Sequence, residues 1–210
     1  KVVIFGSGHH GRAALRKCRE NKRFKCVCFI DSDKKKDNTT ILKKKIHHVN
    51  KINKINFDKI IFCGRYIEEQ LEQVKKYNIK KNRFLIWGRS KILPSKKKLM
   101  QREKILLKML AYVVNKFNQN KIIYWLDHSG LLGLIRKQNL AEFSDVDISI
   151  KLNDVEKVRK IIKSNKKIFS LKYQIYFKYY KNKKTKIVSM SMIGNVNPER
   201  IEPPLIDFAS

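Results

Sequence analysis

The run at residues 144–150, SDVDISI, constrains this chain more than any other stretch. It alternates polar and apolar as a half-buried strand does, and Asp145 and Asp147 stand two residues apart within it. Side chains at i and i+2 leave a strand on the same face, so the two carboxylates project together. Aspartate is disfavoured in strands and is rarely buried without a partner, so such a pair calls for a compensating cation. Mg²⁺ meets that need with oxygen ligands, often one or two carboxylates plus substrate phosphates. Taken alone, a D-x-D also fits an edge strand whose outer face is acidic.

The residues upstream add chemistry to the pair. Trp125-Leu126 reads as a strand end, Ser129-Gly130 as a small-residue turn, and residues 131–135 (LLGLI) as an apolar helix carrying Arg136. Backbone N–H groups at a helix start face an anion, and a nearby arginine adds a bidentate phosphate contact. The expectation is a phosphate cradle at Ser129, Gly130 and Arg136, followed by a metal-holding pair at Asp145 and Asp147.

WLDHSGLLGLIR followed by DVDISI resembles the LicD/fukutin-related family of the DNA polymerase β-like nucleotidyltransferase superfamily, over about residues 100–210. The resemblance implies Mg²⁺- or Mn²⁺-dependent transfer of a phospho-substituent, phosphocholine or a polyol phosphate, from a CDP-activated donor to a glycan. The setting it implies is surface polysaccharide or lipooligosaccharide biosynthesis, capsule included. It also implies a third carboxylate on a later strand, for which Asp207 in PPLIDF is best placed. In those roles Asp145, Asp147 and Asp207 are both the metal ligands and the catalytic acids. The family usually has Gly then Ser/Thr where this chain has Ser129 then Gly130, and a longer proline–tryptophan–acid run before its D-x-D. Relatives run on past the strand of Asp207, so the expected domain is cut short or lacks its acceptor-binding part.

The first third of the chain carries a second motif. Residues 2–5 (VVIF) form a short strand, GSGHHG follows, and a helix runs to Glu20. Strand, G-x-G-x-x-G, helix is the context of a dinucleotide fingerprint: Gly6 makes the tight turn, Gly8 admits a pyrophosphate, and Gly11 lets helix pack on strand. A strand over residues 25–30 ends in Asp31, where an acid would bond a ribose hydroxyl. Three readings stand side by side: NAD binding, sugar-nucleotide binding, or a remnant whose glycines serve packing alone. GSGHHGR with VCFIDSD resembles the N-terminal domains of sugar acyltransferases and polysaccharide-biosynthesis dehydratases, which implies the second. With no Tyr-x-x-x-Lys and no second βαβ half downstream, redox chemistry is not expected.

Between the motifs, residues 46–49, 59–63 and 84–87 read as strands and residues 66–76 as an amphipathic helix, which together predict a small parallel sheet. Gly88-Arg89-Ser90 and Pro94-Ser95 mark a boundary. The periodicity of Leu99, Leu106, Leu110, Val113 and Phe117 then predicts a packing helix over 97–118, and a strand over 122–125 feeds the phosphate turn. After the D-x-D come a helix over 153–164, antiparallel strands over 171–180 and 185–193, and the strand of Asp207. The fold class expected is α/β: a small Rossmann-like parallel-sheet domain at 1–92, then a polymerase-β-like minimal nucleotidyltransferase α+β domain at 97–210.

Composition sets outer bounds. A hydrophobic content of 42% in 210 residues suffices for real cores, and no apolar run approaches the roughly 18 residues of a membrane span. Cys18, Cys26, Cys28 and Cys63 show no metal-ligand spacing and read as packed, reduced thiols, which points to a cytoplasmic protein. His9-His10 and His47-His48 lack a partner cluster and read as turn or surface residues. The chain opens on a strand with neither an initiator Met nor a signal peptide, so residues are expected before Lys1. The net charge of +31 comes from scattered lysines without interleaved stacking aromatics. Nucleic acid is therefore not the expected partner; anionic membrane lipid or an acidic glycan fits better, at the inner face of the membrane. Beside the transferase stand two other readings: a degenerate transferase that only binds a sugar nucleotide or NAD, and a nucleic-acid nucleotidyltransferase.

Overall fold

The chain folds into two compact units, Lys1–Pro94 and Ser95–Ser210. The computed structural model describes residues 1–143, 145–163, 169–180 and 183–209, without the side chains of 129, 169–189 and 209. Both units are mixed α/β, the class that the sequence pattern predicts.

In the first unit the strands are β1 (Val2–Phe5), β2 (Cys26–Asp31), β3 (Thr40–Ile41), β4 (Lys44–His48), β5 (Lys59–Cys63) and β6 (Phe84–Trp87). They form one sheet in the order β3-β4-β2-β1-β5-β6. Helices α1 (His9–Glu20), α2 (Ile67–Lys75) and α3 (Arg89–Ile92) complete the unit. Near-continuous apolar strands such as VVIF and KIIFC are what a sheet covered on both faces requires. Val2 and Ile4 pack with Leu15, Phe29 and Trp87 on one side. Val3 and Phe5 pack with Ile30, Ile52 and Phe62 on the other. The sheet departs from the all-parallel expectation at one edge. Leu42 and Lys43 take positive φ values of 47° and 60°, and this tight turn folds β3 back antiparallel on β4. All four cysteines are free and buried, and burial pushes the Cys63 thiol to about 12.

The second unit contains α4 (Lys96–Gln119), β7 (Tyr124–Asp127), α5 (His128–Ile135), β8 (Val146–Ile150), α6 (Val155–Lys163), β9 (Phe169–Tyr180), β10 (Lys183–Gly194) and β11 (Leu205–Ala209). The sheet order is β7-β8-β11-β10-β9, with β8 and β11 parallel and the other pairs antiparallel. Val146, Ile148, Ile150, Ile206 and Phe208 share a core with Leu106, Met109, Val113 and Phe117 of α4 and Val158 and Ile162 of α6. The Tyr112 hydroxyl donates to the Ile161 carbonyl at 2.8 Å, tying α4 to α6. Strand β7 begins two residues later than the pattern of residues 122–125 suggests. Residues 120–121 are used to end α4, with Lys121 at φ 54° and Ile122 N–H donating to Phe117 O at 2.9 Å. No described helix is long and apolar enough to cross a membrane.

Candidate metal centre and glycine-rich loop

Period-two alternation gives β8 two faces with different tasks. Val146, Ile148 and Ile150 are buried in the core, while Asp147 and Ser149 lie half-buried on the opposite face. Strand β11 runs parallel to β8 with Asp207 level with Asp147, and Ile206 and Phe208 on either side of Asp207 anchor the strand in the core. Asp145, just ahead of β8, joins them. Asp145, Asp147 and Asp207 each offer a carboxylate oxygen within 4.8 Å of the others, all three groups half-buried. Like charges this close raise one another's cost, and a cation among them removes it. Carboxylate oxygens are the donors that Mg²⁺ and Mn²⁺ prefer, so the donor set suits a hard divalent ion.

A fourth acid, which sequence reasoning did not single out, stands across from this cluster. Asp127 on β7 is the cross-strand partner of Asp147, as Trp125 is of Ser149, and directly opposed residues share a face. The Ser149 hydroxyl donates to Asp127 Oδ2 at 2.8 Å. The His128 N–H donates to Oδ1, also at 2.8 Å. These bonds hold the Asp127 carboxyl below the usual carboxylate range. The bond from His128 also caps α5, and the helix starts at His128 and takes in Ser129-Gly130 instead of following a separate turn there.

Of the predicted phosphate-binding residues, Gly130 lies against the acidic strand. A Cβ there would meet Val146 Cγ1 at 3.1 Å and the Asp147 carbonyl oxygen at 3.3 Å, so the missing side chain lets the first turn of α5 close on β8. The side chain of Ser129, like Ser144 at the head of the acidic run, lies outside the described residues. Arg136 is not beside them. It is the exposed C-cap of α5, about 10 Å along the helix axis from Ser129.

A second residue that sequence reasoning missed is Arg102 of α4, only 5% exposed. Its Nη1 donates to the carbonyls of Ala141 and of Phe143, the latter at 2.6 Å. Burial pulls the guanidinium down to about 10, and the negative charge of Asp145 works in the opposite direction. The signal was present in the sequence. Arg102 stands four residues before Leu106, on the stripe that carries Met109, Val113 and Phe117 into the core.

Residues 121–201 match the model of the LicD/FKTN/FKRP nucleotidyltransferase domain. The LicD match contains β7, α5 and β8, with Asp127, Asp145 and Asp147, and stops short of Asp207. Residues 1–85 match the model described as C2185-like, N-terminal. No curated protein matches the chain. Among solved structures, UDP-D-quinovosamine 4-dehydrogenase from Vibrio fischeri is similar at 20% identity and a TM-score of 0.33, over 48% of this chain and 82% of its own. A meso-dapdh mutant with DAP from Clostridium tetani E88 is similar at 10% identity and a TM-score of 0.31, over 100% of this chain and 82% of its own. Likenesses so remote carry no argument about either site.

The C2185-like region holds the glycine-rich loop. Gly6 has φ +84°, and a Cβ on Gly11 would lie 1.8 Å from the Gly6 carbonyl oxygen, so only glycine fits at Gly11. A Cβ on Gly8 would meet nothing within 4 Å. A Cβ on Gly64, which has φ +112°, would lie 3.4 Å from the His10 ring. Burial first, then the charges of Arg65 and Arg89, lower the His10 pKa.

Asp31, expected to face a ribose, is 6% exposed and turned toward its own loop. Its Oδ2 accepts from Ser7 N–H at 2.9 Å and from the Ser7 hydroxyl at 2.6 Å. Its Oδ1 accepts from Asp33 N–H at 3.0 Å, and Lys36 Nζ lies 3.3 and 3.4 Å from the two oxygens. Burial would raise the Asp31 pKa, yet the bonds from Ser7 and Asp33 with the charge of Lys36 outweigh it and hold it low.

Proposed function

We propose that this protein transfers a phospho-substituent from a CDP-activated donor to a glycan hydroxyl, with Mg²⁺ or Mn²⁺, in the assembly of a surface polysaccharide. The observation that carries this reading is the convergence of Asp145, Asp147 and Asp207 on the solvent side of β8 and β11, within or beside the LicD match. Asp145 and Asp147 hold the cation. Asp207 completes the set or accepts the proton of the acceptor hydroxyl. A bound divalent ion supplies charge neutralisation at the donor phosphates. The first turn of α5, brought onto β8 by Gly130, offers its N–H groups to those phosphates. Arg136 meets the donor only at a distance from that turn. Catalysis rests on placement and electrostatics, without a covalent intermediate. The positive charge supports work beside anionic lipid at the cytoplasmic face of a membrane.

In the first unit, the open space at Gly8 supports a phosphate-bearing ligand, NAD or a sugar nucleotide, over Gly6, Gly8 and Gly11. The engagement of Asp31 by Ser7 and Lys36 weighs against a grip on the ribose, and so favours the sugar nucleotide held through its phosphates.

A thermal-shift series with CDP, CTP, a UDP-sugar and NAD, each with and without Mg²⁺, tests both sites, because a ligand of the folded state raises its melting temperature by mass action. A Mg²⁺-dependent shift with cytidine nucleotides that disappears in Asp145→Ala is expected. A shift with only the UDP-sugar or NAD, indifferent to Mg²⁺, would overturn the transferase reading in favour of a binding protein.

A further inference from the structure

Helix α4 carries one residue that packing alone does not explain. The apolar stripe of α4 buries Leu106, Met109, Val113 and Phe117 against the sheet, and one turn earlier it buries an arginine. Burying a guanidinium is costly unless its donors are matched. A leucine or methionine at this position would fill the core at less cost. What Arg102 gains is a fixed grip on the segment that leads into the acidic strand. A single nitrogen, Nη1, bonds the carbonyls of Ala141 and Phe143, two residues apart, while the charge of Asp145 bears on the same guanidinium. That segment is also braced from the other side. A Cβ on Gly133 of α5 would lie 2.8 Å from both Leu140 and Phe143, so these side chains sit directly on the helix. Residues 140–143 are thus held between α4 and α5. Asp145 precedes the first residue of β8 and lacks the ladder that places Asp147 and Asp207 in register.

We propose that Arg102 is a positioning residue for the metal centre: by fixing the Ala141 and Phe143 carbonyls just ahead of the acidic strand, it sets the Asp145 carboxylate in place for a divalent cation. The proposal rests on the metal reading above and assigns to the long helix a part in the site as well as in the core. A purely structural Arg102 would stabilise the loop and leave cation affinity alone. A positioning Arg102 alters affinity even where the protein remains folded. Its positive charge by itself repels a cation, so a purely electrostatic role predicts tighter binding when it is removed. Weaker binding isolates the positioning effect.

The test is calorimetric titration of the full chain with Mn²⁺ alone, without donor, for the wild type, Arg102→Lys and Arg102→Met. Far-UV circular dichroism at the titration temperature establishes that each is folded. The expected result is a loss of about 10–100-fold in Mn²⁺ affinity for Arg102→Met, the range for residues that orient a metal ligand. Arg102→Lys should fall in between, since an ammonium keeps the charge near Asp145 without the planar fork. If Arg102→Met does not fold, Arg102→Lys decides, with a loss of at least about threefold expected on the same grounds. Affinities equal to or tighter than wild type in the folded variants overturn the proposal while leaving the metal centre standing. Absence of Mn²⁺ binding by the wild type overturns both.

Discussion

The two units present acids at strand positions in opposite ways. At the carboxyl end of β2, donors converge on one acid: two from Ser7, one from Asp33, and the ammonium of Lys36 surround Asp31. On β8 and β11, acids converge on one another: Asp145, Asp147 and Asp207 bring oxygens within 4.8 Å. The first arrangement stabilises the fold and leaves little for a ligand. The second gathers oxygen donors that suit a cation from outside. A motif that spells a binding site, G-x-G-x-x-G with a following acid, has its acid turned inward here, while a shorter D-x-D becomes a candidate centre through a strand nearly sixty residues away.

That contrast can be broken by substitution. The largest effect is expected from Asp147→Asn. Turnover should fall by about 10²–10³-fold or more, as when a group that stabilises transition-state charge is lost. Retained turnover would place Asp147 with Asp31 as a structural acid.

Next is Gly11→Ala, whose methyl would collide with the Gly6 carbonyl. It should destabilise the first unit by about 3 kcal/mol or more, seen as faster hydrogen exchange in β1 and α1. Asp31→Asn should cost about 1–3 kcal/mol by weakening bonds to a buried group. Its pH signature is specific. The Asp31 carboxyl titrates below its unfolded value, so its contribution is present above that value, near pH 4, and is lost as pH falls through the folded one. The wild type should therefore lose stability in acid more steeply than Asp31→Asn, and parallel acid limbs in urea melts would refute the loop-locking role. Smallest is Gly8→Ala, within about 0.5 kcal/mol in melting since its Cβ would point into open space. If a phosphate-bearing ligand lies over the loop, the same change should weaken its thermal shift, and an unchanged shift would leave the glycines a packing role.

Much of this was legible from local patterning. The alternation of SDVDISI predicted both the burial of Val146, Ile148 and Ile150 and the shared face of the acids, because a strand's period is fixed by its backbone. Gly6 and Gly11 were legible for a similar reason, since each answers a steric demand of the chain around it. The residues that escaped notice act across the sheet or across helix and loop. Asp127 matters because β7 pairs antiparallel with β8 and brings Ser149 to it, a register that the sequence does not state. Arg102 hid among the many basic residues of α4, although its place on the apolar stripe set it apart. For Arg136, sequence proximity misled: seven residues of helix carry a side chain away from the turn it was expected to serve.

The alternation in β8 has a last consequence, for how such a chain can change over generations. The same strand writes the core on one side and the acidic cluster on the other, in a single reading frame. Inserting or deleting one residue between Asp145 and Ile150 would invert the alternation on one side of the change, so that acids and apolar residues that now keep to separate faces would be mixed on each. Point substitutions can therefore tune the site and the core separately, but a change of length in this strand cannot. The spacing of the two aspartates is guarded by the need to fold as much as by the chemistry they are proposed to serve.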